Sequence, residues 1–185
     1  MIFKELLEHN PIIPAVKNES ELKRALETES QIIFVLFGNI LNLSSIATAI
    51  KEKEKLGIIH LDLVEGLASK EIAVHYIKEQ TVFNGIISTK PQLIKTAKVL
   101  ELIAIQRIFI LDGMSLENTR NHIVEQCDAV EMLPGILFKV IETLTKTISK
   151  PLIVGGLISE KDEVVEALGV GATCISTSSE KVWEM

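Results

Sequence analysis

Residues 151–179 read PLIVGGLISEKDEVVEALGVGATCISTSS, and the reading of this stretch decides the fold. The run 151–154 lacks polar alternation, as expected of a parallel strand buried on both faces. Gly155-Gly156 lets the backbone turn and approach a ligand closely, because glycine has no Cβ to clash. Ser159 with Asp162 predicts a capping box, and Glu160, Asp162 and Glu163 place negative charge in the first helical turn, where the helix dipole favours it. Val164, Val165 and Leu168 form the expected apolar face, and Gly169 ends the helix. A second strand follows at 172–176, and Thr177-Ser178-Ser179 opens a short final helix. Two consecutive βα turns offering backbone N–H and hydroxyl groups are how (β/α)8 barrels build phosphate sites after strands 7 and 8. An ordinary βαβ unit with a small-residue turn is the plainer reading of the same residues.

Upstream, similar apolar runs recur at 12–16, 32–37, 57–61, 85–87, 104–111 and 129–133, each followed by helical spacing. Asn18 with Glu21 starts a helix that buries Leu22, Ala25 and Leu26. Asn42 precedes Leu43, Ile46, Ala47 and Ile50. Ser69 caps a helix whose inward residues are Ile72, Ala73, Tyr76 and Ile77. Pro91 suits a first helical position, and Ser115 opens the next helix. Leu137, Val140, Ile141, Leu144 and Ile148 make the clearest amphipathic stripe. Strands alternating with helices mean an α/β fold with a parallel sheet, and eight strands close a barrel. The expectation is one domain over residues 1–185, a compact TIM-like (β/α)8 barrel with a truncated last helix. Such barrels usually need at least ~200 residues; short loops and an early stop after strand 8 supply the economy. Residues 3–7 are expected to cover the barrel floor or the gap left by the missing helix. A doubly wound open sheet is the alternative, but its GxGxxG after strand 1 is missing.

Hydrophobic residues make up 47% of the 185-residue chain and charged residues 24%, which is globular and argues against disorder. Aromatic residues are only 4%, so aliphatic packing fills the interior. A net charge of −6 makes a poor generic nucleic-acid or membrane binder. Cys127 and Cys174 sit singly and read as buried apolar fillers. His9, His60, His75 and His122 show no HxH or HExxH spacing, so neither metal nor cofactor is expected. No signal-peptide pattern and no membrane-length apolar run occurs, so we expect a soluble cytoplasmic protein.

Function in such a barrel sits at the C-terminal strand ends. Those ends carry Lys17, then His60 and Asp62, then Ser88-Thr89-Lys90, then Gln106-Arg107, then Glu131, in addition to the two turns above. His60 and Asp62 alternate on one strand face and so line a site, unless Asp62 merely caps its turn. Glu131 at a buried strand end needs a polar partner, either a ligand or a salt bridge with Arg107 or Lys90. Arg107 suits an ion pair or an anion; Lys17 and Lys90 suit a phosphate or solvent. No lysine within a strand offers a Schiff base, and no GxSxG elbow is present. Asp62 with Glu131 would serve a phosphosugar isomerase, epimerase or aldolase-like enzyme if their environments split their pKa values.

Taken together these strand ends resemble the glycerol-3-phosphate-responsive antiterminator family. The matching blocks are Ile13-Pro14-Ala15-Val16-Lys17, His60-Leu61-Asp62-Leu63 with Gly66-Leu67, and Gly85-Ile86-Ile87-Ser88-Thr89-Lys90. They continue with residues 104–112, Glu131-Met132-Leu133-Pro134-Gly135, Gly155-Gly156-Leu157-Ile158 and Thr177-Ser178. The Gln106-Arg107 strand and the Leu133-Pro134-Gly135 turn are the more specific of these; Met132 and Phe138 depart from the pattern at packing positions. The resemblance implies a small TIM-like barrel, without enzymatic activity, that senses glycerol 3-phosphate. It also implies binding to the leader mRNA of glycerol-catabolic genes, so that polymerase reads through a terminator. The phosphate is then expected on Gly155, Gly156, Thr177 and Ser178. The glycerol hydroxyls would face His60, Asp62 and Glu131, with Lys17, Lys90 or Arg107 balancing charge. The residues show no RNP motif, no KH-type GXXG and no aromatic platform. Lys139, Lys146 and Lys150, spaced to share a helix face, are the first basic candidate for RNA or a merely solvated stripe, and Lys95 with Lys98 the second. The short segment after strand 8 raises a homo-oligomer as an expectation, with copies covering each other there.

Overall fold

The computed structural model describes residues 3–185, except for the side chains of Asn118, Arg120 and Asn121. Eight parallel strands pair in sequence order and close on themselves: β1 Ile12–Val16, β2 Ile32–Val35, β3 Leu56–His60, β4 Gly85–Ser88, β5 Ile103–Phe109, β6 Ala129–Leu133, β7 Leu152–Gly155 and β8 Cys174–Thr177. The helices are α1 Phe3–His9, α2 Glu19–Glu27, α3 Leu43–Glu52, α4 Glu71–Gln80, α5 Pro91–Val99, α6 Gly113–His122, α7 Phe138–Thr145, α8 Lys161–Gly169 and α9 Glu180–Trp183. The expected TIM-like barrel with a short last helix is therefore the observed one. Among the described residues no helix is long and apolar enough to cross a membrane.

Strand alternation sends every second residue into the barrel. Ile13, Ile32, Phe34, Ile58, Ile87, Ile105, Ala129, Ile153 and Cys174 fill the interior, and Leu6 and Leu7 of α1 join the same cluster from below. The N-terminal segment is thus the floor plug. The opposite strand face packs Val16, Val35, Ile59, Ile86, Val130, Val154 and Ile175 against the helices. Both cysteines are buried; burial pushes the Cys127 thiol up to about 11 and raises Cys174 further, so neither is a thiolate. In α9, Val182 and Trp183 are buried, and the Trp183 indole N–H donates to the Thr177 carbonyl at 2.8 Å. The short helix thereby seals the β8–β1 side itself.

Local caps follow the sequence with shifts. Asn18 and Glu21 cap α2 as expected. Before α8, the Glu163 carboxylate accepts the Ser159 and Glu160 amides at 2.7 and 3.0 Å, so the box sits one residue later than Ser159/Asp162. Its buried face is Val164 and Ala167, while Val165 is exposed. In α4 the buried residues are Ala73, Val74 and Ile77 while Ile72 faces out, and the N-cap is Lys70 rather than Ser69. Asp112 caps α6, with Ser115 as the third residue of its box instead of its opening residue. Of the described side chains of α6, Thr119 is the buried one. That helix is tethered from β5, where the Gln106 side chain donates to the His122 carbonyl at 3.0 Å and accepts the Val124 amide at 2.7 Å.

Candidate functional site

The barrel mouth is organised by one ion pair. Register places Arg107 of β5 directly beside Glu131 of β6, both inward. The guanidinium Nε–H donates to Glu131 Oε2 at 2.7 Å, and the two residues are 7% and 0% exposed. The other carboxylate oxygen accepts the Ser176 hydroxyl of β8 at 2.6 Å. This second bond spans β7, and it exists because β7 ends in glycine. A Cβ on Gly155 would stand 2.2 Å from Ser176 Oγ and 3.3 Å from Glu131 Oε1. Gly155 is therefore needed to let neighbours two strands apart touch above it. Each partner satisfies the other; left alone, either charge would be costly to bury.

Above this network lies a cavity of about 120 Å3 lined by Arg107, Glu131, Ser176, Gly156, Leu157 and Ser178. The β7–α8 loop that walls it turns through two successive left-handed residues, Gly156 at φ 74° and Leu157 at φ 64°. The first is easy for glycine, whereas leucine there costs energy of the kind concentrated at ligand-binding loops. The loop is pinned from beneath: the Gly135 amide donates to the Gly156 carbonyl at 3.0 Å. Among the described residues, no protein acceptor takes the amides of Leu157 or Ser178. Ser178 is exposed at the cavity edge.

His60 is inward and 3% exposed, and its Nδ1 has no hydrogen-bond partner among the described residues. Burial first, then the positive charge of Arg107, lowers its pKa to about 4, so the ring is neutral near pH 7. A buried polar atom without a partner is a place where a water or a ligand hydroxyl belongs.

Other expected site residues lie elsewhere. Asp62 does not continue the alternation from His60, because β3 ends there and residues Leu61–Leu63 form a 3-10 turn. Its carboxylate accepts the Ser88 hydroxyl at 2.9 Å and the Thr89 amide and hydroxyl at 2.7 and 2.9 Å. It therefore ties two loops together. Thr177 does line the cavity, but its hydroxyl is engaged: it donates to the Ile158 carbonyl at 2.7 Å and accepts the Ser179 amide at 3.0 Å. Lys17 and Lys90 are exposed at loop positions and do not line the cavity. The structure thus brings together Arg107, Glu131, Gly156, Thr177 and Ser178 around the cavity, with Gly155 beneath and His60 within reach of the same charges. Ser176 does not stand out in the sequence, although it shares one parity with Cys174 on β8 and with Ser178 just beyond it.

The basic candidates are partly spent. Lys146 is bound to Glu142 and Lys98 to Asp128, at 2.7 and 2.8 Å. Because α7 stops at Thr145, Lys150 lies beyond it and shares no helix face with Lys139.

The profile of the family described as glycerol-3-phosphate responsive antiterminator matches residues 12–183. The uncharacterized protein YgcP of Escherichia coli (strain K12) is 38% identical over 181 residues, covering 97% of this chain and 95% of that protein. The crystal structure of a glycerol uptake operon antiterminator regulatory protein from Listeria monocytogenes superposes with a TM-score of 0.89 at 30% identity, covering 93% of this chain and 94% of that one. A glycerol uptake operon antiterminator-related protein from Thermotoga maritima gives a TM-score of 0.84 at 30% identity, covering 95% and 99%.

Proposed function

Because the chain belongs to the glycerol-3-phosphate responsive antiterminator family, we propose that it is a sensor of glycerol 3-phosphate that acts on the leader mRNA of glycerol-catabolic genes, letting polymerase read through a terminator. The observation that carries this reading is the small cavity set on the Arg107–Glu131–Ser176 network. The phosphate lies against the Gly156-Leu157 turn and Ser178, where amides without protein acceptors and a hydroxyl meet an anion without added charge. Arg107 supplies the positive field from below. The glycerol hydroxyls point inward toward Ser176 and the unpartnered Nδ1 of His60.

A receptor suits this geometry better than an enzyme. Both oxygens of Glu131 already accept hydrogen bonds, and Asp62 is engaged by Ser88 and Thr89 outside the cavity. An acid–base pair needs both carboxylates within hydrogen-bond reach of one substrate, and of these two only Glu131 lines the cavity. Calorimetry with glycerol 3-phosphate, against glycerol and inorganic phosphate, tests the proposal. Saturable binding of the phosphate ester alone, without product, supports it; at about 100 times its dissociation constant the ligand adds about 2.7 kcal/mol of stability. Absence of binding, or turnover of the ester, sinks it.

A further inference from the structure

We propose that the trough beside the outer end of β5 is a docking site for an unpaired RNA base, with Phe109 as its stacking platform; this rests on the reading of an RNA-acting sensor and gives that activity a place. β5 has seven residues where the other strands have four or five. The extra length carries Phe109 to the mouth, two positions beyond Arg107 on the same strand face. Among the described aromatic residues, Phe109 is the one left exposed, at 49%. It borders a hollow of about 470 Å3 walled by Pro91, Ile108, Thr119 and His122, with Arg107 at its inner end. This shape offers apolar faces with the hydroxyl oxygens of Thr89 and Thr119, still able to accept, at the edge, which matches what a nucleobase presents: a flat apolar face and a polar rim. Single-stranded RNA is read in this way, by splaying bases onto aromatic side chains.

Two lysines lie where attached phosphates would run. Across Pro91 a second hollow of about 480 Å3 is lined by Lys70 and Lys90. Both lysines are exposed, and neither has an ion-pair partner among the described residues. The nearby acids keep their charge, but their oxygens are turned to neutral donors: Asp62 to Ser88 and Thr89, Asp112 to the Ser115 amide at 2.7 Å, and Glu71 to Gln92 at 2.8 Å. The net charge of −6 argues against binding spread over the whole surface, but it leaves this local arrangement intact. A protein partner of matching size would ask for a more continuous apolar face than one broken by Thr89, Ser115 and Thr119.

The test uses the full chain and RNA enriched on it from a randomised single-stranded pool in the presence of glycerol 3-phosphate. Phe109→Ala and Phe109→Leu are expected to weaken that RNA about tenfold, the loss of one stacked base. Phe109→Tyr should retain binding, and glycerol 3-phosphate affinity should be the same in all three. Lys70→Gln should lower the slope of log affinity against log salt by about 0.7. If the enriched RNA binds these variants like the parent but is lost on Lys139→Gln, the docking site is wrong and the antiterminator reading stands. If no RNA is enriched, both fall. If Phe109→Ala instead dissolves an RNA-free dimer in sedimentation, the trough takes a second copy of the chain, and the RNA proposal is overturned.

Discussion

The two ends of the barrel obey opposite rules. At the floor, Leu6 and Leu7 of α1 close onto Ile13, Ile32, Ile58 and Ile153, so the inward positions there are aliphatic. At the mouth, inward positions on the same strands and their neighbours carry His60, Arg107, Glu131 and Ser176. The floor is held by apolar area, which needs no particular geometry. The mouth replaces that area with groups whose burial is costly unless each finds a partner; Arg107, Glu131 and Ser176 do so through two hydrogen bonds to Glu131, while Nδ1 of His60 does not among the described residues. One end can therefore be altered in small steps, while the other fails or holds as a unit.

The largest expected effect is at the mouth. Glu131→Ala strands a buried guanidinium and is expected to cost about 3–5 kcal/mol in urea unfolding; a cost below about 1 kcal/mol would show that the pair does not hold the mouth. At the floor, Leu7→Ala should cost about 3 kcal/mol by cavity formation, and calorimetry should find glycerol 3-phosphate binding unchanged. A parallel fall in affinity would mean that the two ends are not independent.

The third effect is a pH dependence. His60 has a folded pKa of about 4 against an ordinary value of 6.5, so between these values the unfolded chain takes up a proton that the folded chain refuses. Its contribution is complete above pH 6.5 and is lost as the pH falls toward 4, by up to about 3 kcal/mol. Thermal melts across this window should show the slope, and His60→Gln should flatten it. The smallest effect is Ser178→Ala, which should weaken glycerol 3-phosphate by about 1 kcal/mol, or fivefold, with no change in melting temperature. An unchanged affinity would move the phosphate off this edge.

The barrel could be read from sequence because its signals are local: apolar runs, caps and glycine stops repeat along the chain, and eight strands leave one closed parallel architecture. Arg107 and Glu131 could be found because charges inside apolar strands stand out. Their pairing could not be fixed, since it depends on register between strands that are 24 residues apart at this point. Asp62 was misplaced because alternation says nothing about where a strand ends. Gly155 was visible as a glycine, but its reason is a contact between β6 and β8, which no local pattern encodes. Ser176 hid among neighbouring hydroxyls whose faces are sorted only once β8 is known to run through Thr177.

Arg107 borders both the cavity at the mouth and the trough beside Phe109. If each hollow holds its proposed guest, one guanidinium belongs to two binding equilibria, and reciprocity constrains them. Whatever factor glycerol 3-phosphate applies to RNA affinity, RNA must apply to glycerol 3-phosphate affinity. The response of transcription to the metabolite is then measurable without transcription, as the ratio of two calorimetric constants taken with and without RNA.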